Sequence, residues 1–214
     1  MKNIVATLIT ITFLFACTES NRAERVTTYI NNKSPEKALE VLDLKECKAY
    51  LEACAFLGVG LLQFPEYIDI GKQYLISAAN LGHARAKVVW ANFLITGNIF
   101  KKDHGAAIPL LIEAAALDSS EGLYYLAIEY NSGEFVPKDE TVALNFFEKS
   151  SALGHKYAPF NAGVLTWDLY KDCEKTEKYF AMSAPYLKDA KEALMQIRND
   201  GPCVGMLSKV KEGT

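Results

Sequence analysis

The 214-residue chain lacks the features that mark several large functional classes. Its 23 Lys and Arg against 26 Asp and Glu give a formal charge of −3 with no long basic run, which leaves no electrostatic basis for nucleic-acid binding. The sequence contains no Gly-x-Ser-x-Gly, phosphate-binding loop, dinucleotide-binding loop or His-Glu-x-x-His. It also has no Cys-x-x-Cys and no His at ligand spacing, which disfavours zinc. We therefore predict no enzyme activity, no cofactor, no metal and no nucleic-acid partner.

The first residues have the layout of an export signal. Lys2 precedes a short apolar segment, Ile4 to Phe15, which is too short to span a bilayer comfortably. Leu14-Phe15-Ala16-Cys17 resembles a bacterial lipobox, which implies cleavage before Cys17 and lipidation of its thiol. Thr18 is not the Asp that retains many lipoproteins at the inner membrane, so the outer membrane is expected. A plain secreted protein or an uncleaved anchor is the alternative.

Four cysteines remain after Cys17, namely Cys47, Cys54, Cys173 and Cys203. Four thiols in an oxidising compartment predict two disulfides. The alternative is a set of four buried free thiols.

The chain repeats itself with a period of 36 residues. The phrases "SAANLGH" and "SSALGH" both end in Leu-Gly-His, and Asp118 lies midway between their glycines, Gly82 and Gly154. Positions of matching size and polarity recur at the same spacing: Ala86, Gly122 and Ala158; Ala91, Ala127 and Gly163; Gly97 and Gly133; Asp103 and Asp139; Ala107 and Ala143. A period of this length is typical of an array of helical hairpins.

Each repeat predicts two helices. In the third, apolar and small residues spaced by three and four favour a helix near Glu121 to Asn131, which Gly133 would end. Asp139 would cap a second helix that runs to about Leu153. The predicted organisation is a signal peptide over 1–16, a tether over 17–23, a helical cap over 24–50, four repeats over 51–187, and a closing helix and tail over 188–214.

The repeated phrase itself has a structural interpretation. The pairs Ala78-Ala79 and Ser150-Ser151 are expected where helices approach closely, and the following Leu is expected to fill the gap between hairpins. His83 and His155 occupy equivalent turn positions, so we interpret both as structural or exposed rather than catalytic.

The third repeat resembles the Sel1-like repeat, a relative of the tetratricopeptide repeat. The matching residues are Gly122, Leu126, Ala127, Tyr130, Gly133, Val136, Asp139, Ala143, Phe147 and Gly154. Phe135 and Ala127 replace two glycines of the family pattern, and "CAFLG" at Cys54 to Gly58 fits its cysteine-rich branch. The resemblance covers about Leu51 to Ala190 and implies an all-α fold, a right-handed α/α solenoid.

The cysteine pairing follows from this resemblance. Cys47 and Cys54 can be joined only if the chain turns between them, as it does in the cysteine-rich branch, because seven residues of one helix rise about 10.5 Å. The pair Cys173–Cys203 rests on topology, with Cys173 expected in the loop between the helices of the fourth repeat.

For function, the resemblance implies a partner-binding surface. Family members act as adaptors or assembly factors, and some exported bacterial members are immunity proteins against a delivered toxin. We therefore expect a lipid-anchored, periplasm-facing envelope protein that binds a partner protein of unknown identity. The alternative that the cysteine-rich branch implies is an enzyme acting on β-lactams or cell-wall fragments.

The first helix of each hairpin is expected to line the concave face. Its outward positions are set by their distance from Leu57, Trp90, Leu126 and Ala162. The partner-binding residues predicted in this way, which core packing should not need, are Glu52, Arg85, Asn92, Glu121, Tyr124, Asn131, Tyr157, Phe160 and Trp167. Aromatic residues with a polar surround are typical of protein-binding hot spots.

Overall fold

The computed structural model describes residues 20–199, which form α-helices and no strand. The helices are α1 (20–31), α2 (Pro35–Leu39), α3 (Leu51–Leu61), α4 (Ile68–Asn80), α5 (Ala84–Thr96), α6 (His104–Ala116), α7 (Ser120–Ser132), α8 (Glu140–Ala152), α9 (Ala158–Tyr170), α10 (Cys173–Ser183) and α11 (Lys188–Asn199). Short 3-10 turns cover Leu44–Glu46 and Pro65–Tyr67. The signal peptide, Cys17 and Cys203 lie outside the described residues.

The chain divides into two compact units, an N-terminal unit up to Ala114 and a C-terminal unit from Ala115. In the N-terminal unit α3 packs on α4 and α4 packs on α5. In the C-terminal unit α7 packs on α8, α8 on α9, α9 on α10 and α10 on α11. Each unit is therefore a run of antiparallel helical hairpins, as the period predicts.

Small residues allow the helices of a hairpin to touch. A Cβ on Gly58 of α3 would lie 2.5 Å from the backbone nitrogen of Leu75 in α4, so only glycine fits there. Ala78 and Ala79 are fully buried, and Ser150 is buried with its hydroxyl donating to the Ser120 carbonyl at 2.7 Å. The predicted close approach at both small-residue pairs is confirmed.

One capping device recurs every 36 residues at the start of α5, α7 and α9. The Nδ1 atom of His83 accepts from the Ala86 N–H, the Ser119 hydroxyl oxygen accepts from the Gly122 N–H, and the Nδ1 atom of His155 accepts from the Ala158 N–H. These bonds satisfy N–H groups that a helix start leaves without a partner. The histidines are structural, as predicted.

The residue before each cap has a left-handed backbone, with φ of 96° at Gly82, 54° at Asp118 and 85° at Gly154. A left-handed φ also ends the first helix of three hairpins, at Gly97, Gly133 and Lys171. Glycine adopts this conformation without the steric cost that a Cβ imposes.

The second helix of the last three hairpins begins at an aspartate, whereas α4 of the first hairpin follows Tyr67. Oδ1 of Asp139 accepts from the N–H groups of Thr141 and Val142 at 3.0 Å, as predicted. Asp103 and Asp172 cap α6 and α10 through the residue three positions on. The fourth hairpin therefore keeps the cap although its loop is shorter.

Three sequence-based expectations need correction. Residues 20–23, placed in the tether, are helical, and Ala23 is buried. The leucines of the repeated phrase do not fill a gap, since Leu81 and Leu153 are 40% and 47% exposed. Cys173 is not in a loop but is the first residue of α10, because the two-residue connection after α9 ends at the Asp172 cap.

The closing helix is present as predicted, and α11 packs against α10. Within residues 20–199 we find no helix with the length and hydrophobicity needed to cross a membrane.

Candidate binding groove

A cavity of about 160 Å³ opens in the N-terminal unit between α1, α3 and α5. We call it the groove. Its apolar lining includes Ile30, Phe56 and Val59, and its polar lining includes Asn31 and Arg85. Polar groups around an apolar floor are what a binding site for a peptide or protein segment requires.

The groove exists because the side chains at its base are small. Ala55 on α3 and Ala86 on α5 line it, and both are buried. Gly60 lets α1 lie close to α3, since a Cβ there would meet the Ile30 side chain at 2.7 Å. The groove is thus built by the cap helix α1 together with the first helices of two hairpins.

A hydrogen bond between two side chains lies at the end of the groove where α3 and α5 begin. The His83 Nε2 atom is 2.8 Å from a Glu52 carboxylate oxygen. Because His83 Nδ1 accepts from the Ala86 N–H, Nε2 is the nitrogen that donates to Glu52. Glu52 and Phe56 line a second depression with Glu24 of α1, so the groove continues along α1 beyond the His83–Glu52 hydrogen bond.

The corresponding space in the C-terminal unit is filled. Tyr124 occupies the repeat position of Ala55, and His155 that of His83. The Tyr124 ring stacks on His155 with centroids 4.2 Å apart and lies 5.7 Å from the Phe147 ring. The Asn161 amide donates to the Tyr124 hydroxyl at 3.4 Å. An aromatic cluster therefore fills the space that corresponds to the cavity of the N-terminal unit.

Burial sets the protonation of this cluster. Burial lowers the pKa of His155, while the nearby charge of Glu121 acts in the opposite direction. Burial also raises the pKa of Tyr124, with Asn161 opposing the shift. Both rings are thus neutral at pH 7.

Of the predicted partner-binding residues, Glu52 and Arg85 lie at the groove, whereas Asn92 is half-buried further along α5. In the C-terminal unit Glu121, Asn131 and Tyr157 are exposed, and Trp167 is half-buried with Lys171 Nζ 5.1 Å above its ring.

The prediction that core packing needs none of these residues is wrong for Tyr124 and Phe160. Tyr124 packs on the core around Phe147, and the Phe160 ring lies 5.3 Å from the buried Phe180. Periodicity assigned both to the outward face, but a large ring at that position bends back over the neighbouring helix.

The sequence reasoning also missed groove residues. The repeat period does not identify Thr27, Ile30 and Asn31, because α1 lies outside the repeats. Val59 lies two positions after Leu57, which is one of the outward spacings that define the predicted partner-binding residues, so the spacing rule also predicts it.

A disulfide joins the turn before α3 to that helix. Cys47 and Cys54 are bonded, with Cα atoms 5.2 Å apart, and both are buried. The chain turns over residues 47–50, between the two cysteines and before α3 begins, which supplies the turn that the pairing needs. Cys173 is disulfide-bonded, and the predicted pairing with Cys203 lies outside the described residues.

The described residues do not assemble a recognisable reactive centre. No cluster of His, Cys, Asp and Glu suited to a metal occurs within residues 20–199. Burial, reinforced by the charge of Glu134, raises the pKa of Glu129, but Glu129 does not line the groove. Lys175 and Tyr179 both contact Glu148, and although burial raises the pKa of this carboxyl, their two hydrogen bonds lower it overall. This last group joins α8 to α10 and is structural.

Comparison with known proteins identifies the repeat. A family model described as Sel1 repeat matches residues 51–83 and 120–155, the first and third predicted repeats. No curated protein matches the chain significantly.

Solved structures share the fold. A Sel1 repeat protein from Oxalobacter formigenes superposes with a TM-score of 0.54 at 23% identity, over 60% of this chain and 98% of that one. The antigen c5321 of uropathogenic Escherichia coli, which displays an SLR fold, gives 0.64 at 17% identity over 73% of this chain. This chain spans only 37% of c5321. A Sel1 repeat protein from Klebsiella pneumoniae subsp. pneumoniae gives 0.51 at 20% identity over 85% and 93%.

These similarities assign the fold class as an all-α solenoid of Sel1-like hairpins. Proteins of this class are generally scaffolds for protein interaction and are typically not catalytic. At such identities the solved structures inform the fold alone.

Proposed function

From the premise that the chain is a Sel1-repeat protein, we propose that it is a lipid-anchored adaptor of the bacterial cell envelope that holds a segment of a partner protein in the groove. The observation that carries the proposal is the open groove between α1, α3 and α5, with an apolar floor and charged residues around it. Arg85 is exposed there, while Glu52 is oriented by His83. Charges of both signs beside an apolar floor fix the direction of a bound segment.

The site is tested by photo-crosslinking in intact envelopes. The lipidated full chain would carry a photoreactive amino acid at Arg85 or, as a control, at Glu66, which is exposed outside the groove. We expect one discrete adduct from position 85 and none from position 66. Equal adducts from both positions would refute the groove.

The contribution of the arginine is tested by a matched charge change. Arg85→Glu should reduce partner capture about tenfold or more, because reversing a charge at an interface leaves a repelled pair. Arg25→Glu makes the same change at an exposed residue of α1 that does not line the groove, and it should have no effect. Unaltered melting of both variants would show that the loss concerns binding.

The anchor is the second part of the proposal. Lys2, the apolar Ile4 to Phe15 segment and the lipobox-like Leu14 to Cys17 support cleavage before Cys17 and lipidation of its thiol. Thr18 supports the outer membrane, facing the periplasm. Several acyl chains hold a protein firmly to a bilayer, whereas a single chain binds only marginally.

Mass spectrometry of the N-terminal peptide tests the anchor. We expect a peptide that starts at Cys17 with acyl mass added, and Cys17→Ser should give soluble or unprocessed protein. An unmodified Cys17 in membrane-bound protein would contradict the anchor and leave the groove unaffected.

One narrower role that the family resemblance includes is that of an immunity protein, a stoichiometric inhibitor held at the membrane where a delivered toxin acts; a general envelope scaffold is the other. For an immunity protein the crosslinked adduct of position 85 is a toxin, and the wild-type chain but not Arg85→Glu protects cells that produce it. An adduct with a resident cell-wall protein would instead identify a scaffold.

A further inference from the structure

A cationic and apolar surface lies beside the start of the N-terminal unit, apart from the groove. It is a shallow depression between the 3-10 turn Leu44–Glu46 and α4, and we call it the basal surface. Its lining includes Leu44, Lys45, Lys48, Ile76 and Leu81. Lys45 and Lys48 are exposed, and so is Leu81 at 40%.

The charge of the basal surface has one sign. Among the described residues that line it there are two lysines and no acidic side chain. The nearby Glu46 carboxylate is turned towards Arg22 Nη1, at 3.0 Å, and accepts the Asp43 N–H. Glu46 is therefore neutralised locally, and the lysines face solvent. Such a surface suits an anionic partner.

The start of α1 lies next to this surface. Arg22 donates to the Val41 carbonyl at 3.0 Å, and its guanidinium lies 3.9 Å from the centre of the Tyr50 ring. Val41 and Tyr50 flank the segment that carries Lys45 and Lys48. The described chain therefore begins beside the segment that carries Lys45 and Lys48, and Ser20 itself lines the continuation of the groove.

The position of the proposed anchor follows from chain length. Cys17 precedes Ser20, the first described residue, by three residues, which reach at most about 11 Å when fully extended. A lipid on Cys17 thus keeps the basal surface within a short distance of the phospholipid headgroups.

We propose that the basal surface docks on the anionic phospholipid headgroups of the membrane that holds the anchor, with Lys45 and Lys48 at the phosphates and Leu81 at the interface. The proposal rests on the lipidation proposed above. Docking gives the hairpins a defined orientation, because the end at which α1 and α3 begin faces the lipid. The loop of Lys101 and Lys102 follows α5 at its other end, about 20 Å along that helix, and faces away.

The test uses the lipidated full chain in vesicles of phosphatidylcholine alone or with phosphatidylglycerol. Lysines are acetylated with a water-soluble reagent and quantified by mass spectrometry. We expect acetylation of Lys45 and Lys48 to slow about fivefold on the anionic vesicles, the factor that one basic residue typically contributes near an anionic leaflet. Lys101 and Lys102, which are also exposed, should react equally on both.

A pair of variants separates charge from mere proximity. With Lys45→Glu and Lys48→Glu together, amide exchange over residues 44–50 should be as fast on anionic as on neutral vesicles. With Lys101→Glu and Lys102→Glu together, exchange over 44–50 should still slow on anionic vesicles, as in the wild type.

Equal acetylation of all four lysines on both vesicles would overturn docking. So would protection that appears only in native envelopes and not on pure lipid, because the occupant would then be a protein. Failure of the wild type to associate with vesicles, together with an N-terminal peptide that lacks acyl mass, would instead refute the anchor and this orientation with it.

Discussion

The same repeat position is open in one unit and filled in the other. Ala55 in α3 leaves room for the groove between α3 and α5, whereas Tyr124 in α7 places its ring against His155 at the equivalent junction of α7 and α9. The backbone elements and the histidine cap are alike in both. Side-chain volume at one position therefore decides whether a hairpin pair offers a binding cavity or an internal aromatic cluster.

The side-chain links inside each unit also differ. The N-terminal unit has the Cys47–Cys54 disulfide, which links the turn before α3 to that helix. The C-terminal unit joins α8 to α10 through the Tyr179 hydroxyl, which donates to Glu148 at 2.7 Å. The covalent bond ties the turn before α3 to a helix that lines the open groove, whereas the hydrogen bond to Glu148 joins two helices of the filled unit.

The largest expected effect comes from removing the covalent bond. The double variant Cys47→Ser, Cys54→Ser should lose about 2–4 kcal/mol of unfolding free energy, since the bond restricts the unfolded chain and both sulfurs are buried. Urea unfolding followed by circular dichroism measures the change. Mutation is preferable to a reductant, because Cys173 is disulfide-bonded as well.

The same variant tests whether the disulfide contributes to the stability of the N-terminal unit at all. A midpoint shift below what 1 kcal/mol would produce would mean that packing alone holds the N-terminal unit. Tyr179→Phe is the control in the C-terminal unit, where it removes only the hydrogen bond to Glu148.

Opening the filled junction should cost somewhat less. Tyr124→Ala removes a half-buried ring that packs on Phe147 and His155, for which we expect a loss of about 2–3 kcal/mol. Thermal unfolding measures it. Tyr124→Phe keeps the ring and loses only the contact with Asn161, so it should cost less than about 1 kcal/mol. Equal costs for both would mean that the ring does not support the core.

The repeat architecture was predictable from sequence because its determinants are local. The aspartate cap at Asp139, the left-handed glycine at Gly133 and the small pair at Ala78 each act within one or two turns of helix, and all three are where the period places them. The closing helix Lys188–Asn199 was likewise predicted from the sequence.

The binding groove was only partly predictable because it depends on packing between repeats. The spacing within the repeats predicted Arg85 and Glu52. The contribution of α1 to the groove depends on the close approach of Ile30 to Gly60, and the repeat period does not encode this contact. Tyr124 and Phe160 were assigned to solvent because periodicity gives the direction of a Cβ and not the reach of a ring. The exposure of Leu81 was missed since apolar character alone does not require burial.

The shared histidine cap makes the C-terminal unit sensitive to acid. His155 Nδ1 must be unprotonated to accept the Ala158 N–H, and burial lowers the pKa of the ring. In the unfolded chain the imidazole takes up a proton near pH 6.5. The cap therefore contributes fully above that pH, and its contribution declines as the pH falls through 6.5 towards the lower folded pKa.

The expected loss between pH 7 and acid is about 1 kcal/mol, the usual worth of a helix cap. His155→Ser is the matched control, because Ser119 caps α7 at the equivalent position without titrating. The difference in melting temperature between wild type and His155→Ser should shrink as the pH is lowered. A difference independent of pH would show that His155 contributes only through its contact with Tyr124.

The smallest expected effect has the opposite sign and concerns the turns that precede the caps. Asp118 holds φ at 54°, at the repeat position where Gly82 and Gly154 stand. Asp118→Gly relieves the steric cost of a Cβ in the left-handed region but increases the entropy of the unfolded chain, so we expect the unfolding free energy to rise by about 0.5 kcal/mol.

Gly154→Ala is the reverse test, because it adds a Cβ at an equivalent turn. A Cβ at Gly154 would meet nothing within 4 Å, so its expected cost of about 1 kcal/mol arises from backbone conformation alone. If Asp118→Gly destabilises while Gly154→Ala costs as expected, the Asp118 side chain contributes a contact that glycine cannot replace. The equivalence of these turns would then hold for the backbone only.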